Sequence, residues 1–360
     1  MKSKTCMLKV ASCVLFLLLG VAGARSQAQT PPAEAGQISG TLRTAFYFEA
    51  IYPGSELPDW DRGYVIHHEN EVNYSPDAPM GFMYDATGMR IRQARIWPKG
   101  AESVRIRRTA ATREGVILAA GWATMQDGSV QGYFVKTDLA GNTVQTLMTG
   151  SFETEHLCEA QDGTIWSLGR NVRQENSQET NTDVLRHYSF EKGLLHSYLP
   201  QATVEAVVPH RSKVPWFEPS QSYVQCGKEK VSLYLSFTDE YVEVGTSSFE
   251  LKRWKLDMTA LPREKAHHLA VTEDGRVYAS FGPSWMGGNI QGLYQIKAEA
   301  GNPIARLLPI AGTINVLEGG KVPAPGTVVW LWGADGNHLV LCRVDEPDGS
   351  LVSWVDVIHN

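Results

Sequence analysis

Hydrophobic and polar residues alternate along this chain with a period of two, and the alternation is interrupted every six to twelve residues by Gly, Asn and Asp. Side chains on a strand point to opposite faces in turn, so this pattern predicts short β-strands and tight turns. One hairpin recurs. Gly81-Phe82-Met83-Tyr84-Asp85-Ala86-Thr87-Gly88 runs into 89–97, and Gly132-Tyr133-Phe134-Val135-Lys136-Thr137 turns at Asp138–Asn142 into 143–148. Gly292-Leu293-Tyr294-Gln295-Ile296 turns at 298–302 into 303–310, and weaker copies lie at 184–199, 249–261 and 338–357. A second hairpin precedes most copies. Residues 155–160, Asp162-Gly163 and Thr164–Gly169 form one, and residues 267–272, Asp274-Gly275 and 276–282 another. Residues 104–112, Glu114-Gly115 and 116–121 repeat it, with degenerate versions at 223–237 and at 313–317 with 327–333. Gly163 reads as a hairpin glycine and Gly128 as a loop glycine, so valine is expected to be worse at the former.

Two hairpins make four antiparallel strands, here A to D in chain order. A four-stranded sheet has two apolar faces and cannot bury both alone, whereas a ring of such sheets buries each face on a neighbour and leaves only short edges. The repeats predict an all-β, six-bladed β-propeller, with five or seven blades as alternatives. Asp162-Gly163-Thr164-Ile165-Trp166 and Asp274-Gly275-Arg276-Val277-Tyr278 resemble the blade signatures of NHL-type and sensor-type propellers. That resemblance spans most of residues 60–357 and implies architecture, not activity. Residues 37–80 supply the first blade's A and B strands; of 41–51 and 64–74, one is left as a possible partner for the last blade.

The first 24 residues read as a leader outside the fold. Lys2, Lys4 and Lys9 precede an apolar run from Cys13 to Val21, and Ala22-Gly23-Ala24 offers the small-x-small cleavage pattern, with Ala28 as an alternative end. Residues 25–40 read as a flexible segment and 41–360 as one propeller domain. The reading is a secreted or periplasmic protein without a membrane span. Losing three lysines takes the formal charge from −6 to −9; an acidic chain without a basic tract disfavours nucleic acid as a partner. Cys158, Cys226 and Cys342 remain, an odd number without close spacing, and read as buried thiols, with at most one pair able to bridge.

Tight A–B and C–D turns belong to one face of such a fold. Longer segments at 170–182, 201–221, 238–248 and 282–291 belong to the other, which is where binding residues are expected. Trp216, Phe217, Trp285 and Met286 sit there as aromatic and apolar loop residues suited to stacking. A sharper signal lies on strand A. Six residues before Asp162 stands His156, and the same count from Asp274 gives His268, from Glu114 Arg108, and from Glu229 Tyr223. His67 or His68 is the expected first-blade counterpart. Strand A lines a propeller's channel, so these side chains are placed to converge and grip an anion or, through His156 and His268, ligate a metal.

No G-x-S-x-G, H-E-x-x-H, P-loop or dinucleotide fingerprint occurs. The leading reading is therefore a non-catalytic propeller binding a small molecule, glycan or protein at the channel mouth, with no cofactor indicated by motif. The alternative is an exported hydrolase, lyase or sugar-oxidising enzyme using the same face. Gluconolactonase-like enzymes resemble the chain in blade layout, and Glu155, Asn315 and His268 are the residues that reading would enlist.

Overall fold

The computed structural model describes residues 38–49, 59–69, 72–85, 89–171, 182–203, 222–261, 266–281, 284–286, 292–314, 327–345 and 352–359. Residues 37–360 form one compact unit, and among the described residues there is no α-helix. The chain opens with β1 (Ile38–Glu49). A first antiparallel sheet follows, ordered β2 (Asp59–Asp61), β3 (Tyr64–His68), β4 (Gly81–Tyr84), β5 (Arg90–Ala94). The second holds β6 (Ala101–Ala111), β7 (Ile117–Met125), β8 (Val130–Thr137) and β9 (Thr143–Gly150). The third holds β10 (Phe152–Glu159), β11 (Ile165–Asn171), β12 (Asp183–Ser189) and β13 (Gly193–Pro200).

The same antiparallel succession continues in β14 (Tyr223–Cys226), β15 (Lys230–Leu235), β16 (Glu240–Gly245) and β17 (Leu251–Leu256). Next come β18 (Ala266–Val271), β19 (Val277–Phe281), β21 (Leu293–Lys297) and β22 (Ile304–Ile314), while the short β20 (Ser284–Met286) leaves to pair with β23 (Thr327–Asp335). β23 then pairs with β24 (His338–Asp345), β24 with β25 (Val352–His359), and β25 with β1. Parallel contacts of β22 with β17 and with β1 join these last strands into one extended sheet.

Apolar faces are buried between successive sheets. Ile66, Met83, Val104 and Ile106 fill the gap between the first and second sheets. Leu118, Phe134, Phe152 and Tyr188 fill the next, and Trp166, Leu185, Leu233 and Val242 the one after. Tyr241, Trp254, Leu269 and Val277 follow, then Tyr278, Leu293, Leu331 and Leu341. Trp60 and Val65 of the first sheet pack on Trp332 and Val340 of the last. The first strands meet in the same order, β2 with β6, β6 with β10, β10 with β14, β14 with β18, β18 with β23, and β23 with β2.

Four local readings of the sequence are corrected. Residues 240–244 lie within β16, so the segment 238–248 is a strand and turn and not a long loop. In the last sheet the first strand is β23, the hairpin at 338–357 joins the second and third strands, and β1 supplies the fourth. Gly128 carries φ +80° in a tight turn, like Gly163 at +80°, and a Cβ meets nothing within 4 Å at either, so valine is equally strained at both. Finally, Cys158 and Cys226 are not thiols: they form a disulfide with Cα atoms 5.6 Å apart, tying β10 to β14. The two cysteines are distant in sequence but stand at matching ends of neighbouring first strands, a juxtaposition that closure of the sheets creates.

Candidate functional site

A recurring irregularity sets the direction of the side chains on the first strands. The register slips by one residue between Ile106 and Arg108, between Thr154 and His156, between Ala266 and His268, and between Leu331 and Gly333. Such bulges bend a strand and re-aim the residue that follows. Glycine on the partner strand makes room for two of them. A Cβ on Gly121 would lie 1.9 Å from the Arg105 carbonyl oxygen, and one on Gly169 2.0 Å from that of Glu153.

Immediately after three of these bulges come Arg108, His156 and His268. Together with Tyr223 of the fourth sheet they line one cavity of about 150 Å³, whose walls also include Trp60, Asp61, Thr109 and Gln225. The residues aligned by counting back from the turns are thus brought together. Tyr223 lies between the two imidazoles, its ring centroid 4.7 Å from that of His156 and 5.5 Å from that of His268. The Arg108 Nε donates to the Glu155 carbonyl oxygen at 2.5 Å. His268 Nε2 stands 2.7 Å from the Trp332 carbonyl oxygen; a carbonyl only accepts, so this nitrogen carries the proton and is not a metal ligand. Among the described residues no three His, Cys, Asp or Glu side chains cluster as a metal would require.

The first-sheet counterpart is corrected. Trp60 and Asp61 of β2 occupy that position, whereas His67 and His68 lie on β3, the second strand. His68 is buried, with Nδ1 3.4 Å from Thr109 Oγ1, and burial, followed by the charges of Arg108, His67 and Arg107, pulls its pKa down to about 3. The signal missed was Asp61-Arg62-Gly63, a two-residue turn that lacks the four-residue form used for the count.

A larger cavity, about 470 Å³, adjoins the first and shares Trp60, Asp61 and Gln225 with it. It opens among the A–B turns and is walled by the Cys158–Cys226 disulfide. This is the face opposite to the one the loop lengths favoured. Of the residues expected on that other face, Trp216 and Phe217 lie outside the described residues, as does the side chain of Trp285, whose backbone pairs with Val328; Asn315 of the enzyme reading lies outside them too. Carboxylates here are already committed. Asp61 Oδ2 accepts from the Ala111 amide at 3.0 Å, and Glu159 Oε2 from that of Arg113 at 2.8 Å, with Arg62 and Lys136 close by. Further along β10, buried Glu153 and Glu155 share the Arg107 guanidinium, at 3.4 and 3.1 Å. Burial and then the neighbouring Glu155 push the Glu153 pKa up, against the opposing pull of Arg107 and Arg170.

No family model matches the chain, and no curated protein matches it. Among solved structures it is similar to a candidate exported protein from Bacteroides fragilis, at 10% identity and a TM-score of 0.47, over 89% of this chain and 99% of that one. A luciferin-regenerating enzyme aligns at 12% identity and a TM-score of 0.41, over 89% and 95% of the two chains. The calcium-binding protein regucalcin from Agrobacterium tumefaciens aligns at 12% and 0.40, over 88% and 96%. Likenesses this distant carry no argument about activity; the architecture rests on the strand pairing above.

Proposed function

We propose that the chain is an exported six-bladed β-propeller that binds a small polar ligand in an axial well, without catalysing a reaction. The observation that carries this reading is the convergence of Arg108, His156, Tyr223 and His268, from four successive or neighbouring sheets, on one cavity. The strand order supports a count of six four-strand units, with β1 completing the last and the last packing on the first. A disulfide supports an oxidising compartment, and among the described residues no helix is long and apolar enough to cross a membrane.

The well offers a guanidinium, two imidazoles, a phenol, an indole and the Gln225 amide, a set that orients a polar ligand while stacking its flat faces. Among the described residues the carboxylates nearest to it hold arginines and backbone amides, which supports binding over hydrolysis. The test is calorimetry on the mature protein against sugars, sugar acids, amino acids and short peptides. Arg108→Ala and Tyr223→Ala are each expected to weaken a bound compound about tenfold or more, while Val130→Ser on an exposed strand leaves it unchanged. Binding undiminished in both well variants, or turnover of the bound compound, contradicts the proposal.

A further inference from the structure

The larger chamber has a polar rim with a simple origin. All six A–B hairpins line it, and at or beside their turns they carry Arg62, Arg113, Gln161, Lys228, Glu273 and Asp335, in the order of the sheets. Glu273 and Asp335 come from the last two sheets and form an acidic arc, while Arg62, Arg113 and Lys228 come from the first, second and fourth and form a mainly basic one, in which Asp61 and Glu159 also line the wall.

Part of the basic arc is occupied. Arg62 pairs with Asp61 and Glu159, and the Arg113 guanidinium donates to the Gln161 carbonyl oxygen. Among the described residues no ion pair engages Lys228, Glu273 or Asp335. Glu273 and Lys228 are exposed, and neither is drawn into the wall: the bonds they make run through backbone atoms, Glu273 N to Gly336 O and Lys228 O from Thr246. Two carboxylates on one arc and an ammonium on the other therefore face a chamber of about 470 Å³ with their charges uncommitted.

A cavity that presents opposite charges on opposite arcs discriminates by charge separation within the ligand. A simple anion meets Glu273 and Asp335, and a simple cation meets Lys228 and Arg113; each gains on one arc and loses on the other. A molecule carrying both charges gains on both. We propose that the chamber selects a zwitterion, an amino acid or short peptide with ionised amino and carboxyl ends. Its ammonium sits by Glu273 and Asp335 and its carboxylate by Lys228 and Arg113. The volume suits a short peptide, and the shared wall of Trp60, Asp61 and Gln225 leads on to the ring of Arg108, His156, Tyr223 and His268. The inference rests on the axial-well reading for where the rest of such a ligand goes, and is independent of it for the charge selection.

The experiment uses three probes on the mature, disulfide-bonded protein at low salt: L-alanyl-L-alanine, its N-acetyl form, which keeps only the negative charge, and its C-terminal amide, which keeps only the positive one. Titration calorimetry is expected to give the dipeptide an affinity about tenfold or more above either analogue. The paired variant Glu273→Gln with Asp335→Asn removes its advantage over the N-acetyl form. Lys228→Gln removes most of its advantage over the amide. These side chains are at the surface, so unchanged circular-dichroism melting shows that the variants fold. The inference is overturned if the dipeptide binds no more tightly than the better analogue, if it shows no binding at millimolar concentration, or if the rim variants leave the three affinities in their wild-type ratios. Loss of dipeptide binding in Arg108→Ala with the rim variants unaffected overturns the charge selection but keeps the well. The reverse pattern keeps the charge selection and removes the well.

Discussion

Trp166 is 1% exposed and lies flat on His187, ring centroids 4.2 Å apart at 12° between planes. The two are directly opposed on β11 and β12, and His196 continues the row on β13. His187 Nε2 is 2.7 Å from Thr164 Oγ1, whose hydroxyl donates to Asp162 Oδ1 at 2.6 Å. The Asp-Gly-Thr-Ile-Trp signature thus builds a buried stack together with the turn that supports it. Trp166→Ala is expected to cost about 3–5 kcal/mol in urea unfolding; a near-neutral result would remove Trp166 from between the sheets. The stack is also pH-sensitive. Burial, opposed by Asp162 and assisted by His196, takes the His187 pKa down to about 4. The unfolded chain takes up that proton near pH 6.5 and the folded chain refuses it until about pH 4. Unfolding therefore binds a proton in this window, and stability falls as pH drops from about 6.5 to 4 and flattens below. His68, lowered to about 3, acts with the same sign. The urea midpoint should decline between pH 7 and 4, with a shallower slope in His187→Gln; a midpoint that rises on acidification would contradict this.

At the scale of elements, the strand hairpins were legible because alternation and Gly-rich turns are local properties of the chain. Residues 132–148, 155–169 and 267–281 fall on the hairpins expected of them. Features set by neighbours in space were not legible. Alternation at Glu240-Tyr241-Val242-Glu243-Val244 was masked by the short turn before it, and the Cys158–Cys226 bond follows only from two first strands standing side by side. That bond is expected to be worth about 2–4 kcal/mol, so the double variant Cys158→Ser with Cys226→Ser should unfold at a clearly lower temperature than the parent. An unchanged melting temperature would show that the tie constrains nothing. Thiol titration of the denatured, unreduced chain from residue 25 onward should find one reactive group, from Cys342; three would mean that the bond is absent. The bulges after which Arg108, His156 and His268 stand were also invisible, yet counting from the turns still aligned these residues, because each bulge recurs at the same place in its repeat.

For the whole molecule, stacking sheets around an axis explains both its stability and its cavities. Every sheet gives one apolar face to each neighbour, and the Trp60–Trp332 contact returns the series to its start. Among the described residues the first strands line two adjoining cavities, and the polar side chains they carry face them. The strand that holds this together comes from the beginning of the chain. β1 is the partner of β25, so the sheet made by the last residues is incomplete without the first ones. Closure is therefore the central claim, and a designed cross-link between β1 and β25 tests it most directly. Arg43 opposes Val357 and Leu42 opposes Ile358. Of two neighbouring antiparallel pairs one is the closer, non-hydrogen-bonded kind suited to a disulfide. Arg43→Cys with Val357→Cys, and Leu42→Cys with Ile358→Cys, should give in at least one case a spontaneous intramolecular cross-link, mapped by mass spectrometry, with a raised melting temperature. Free thiols in both pairs, or cross-links only between separate chains, would contradict a ring closed by its first strand.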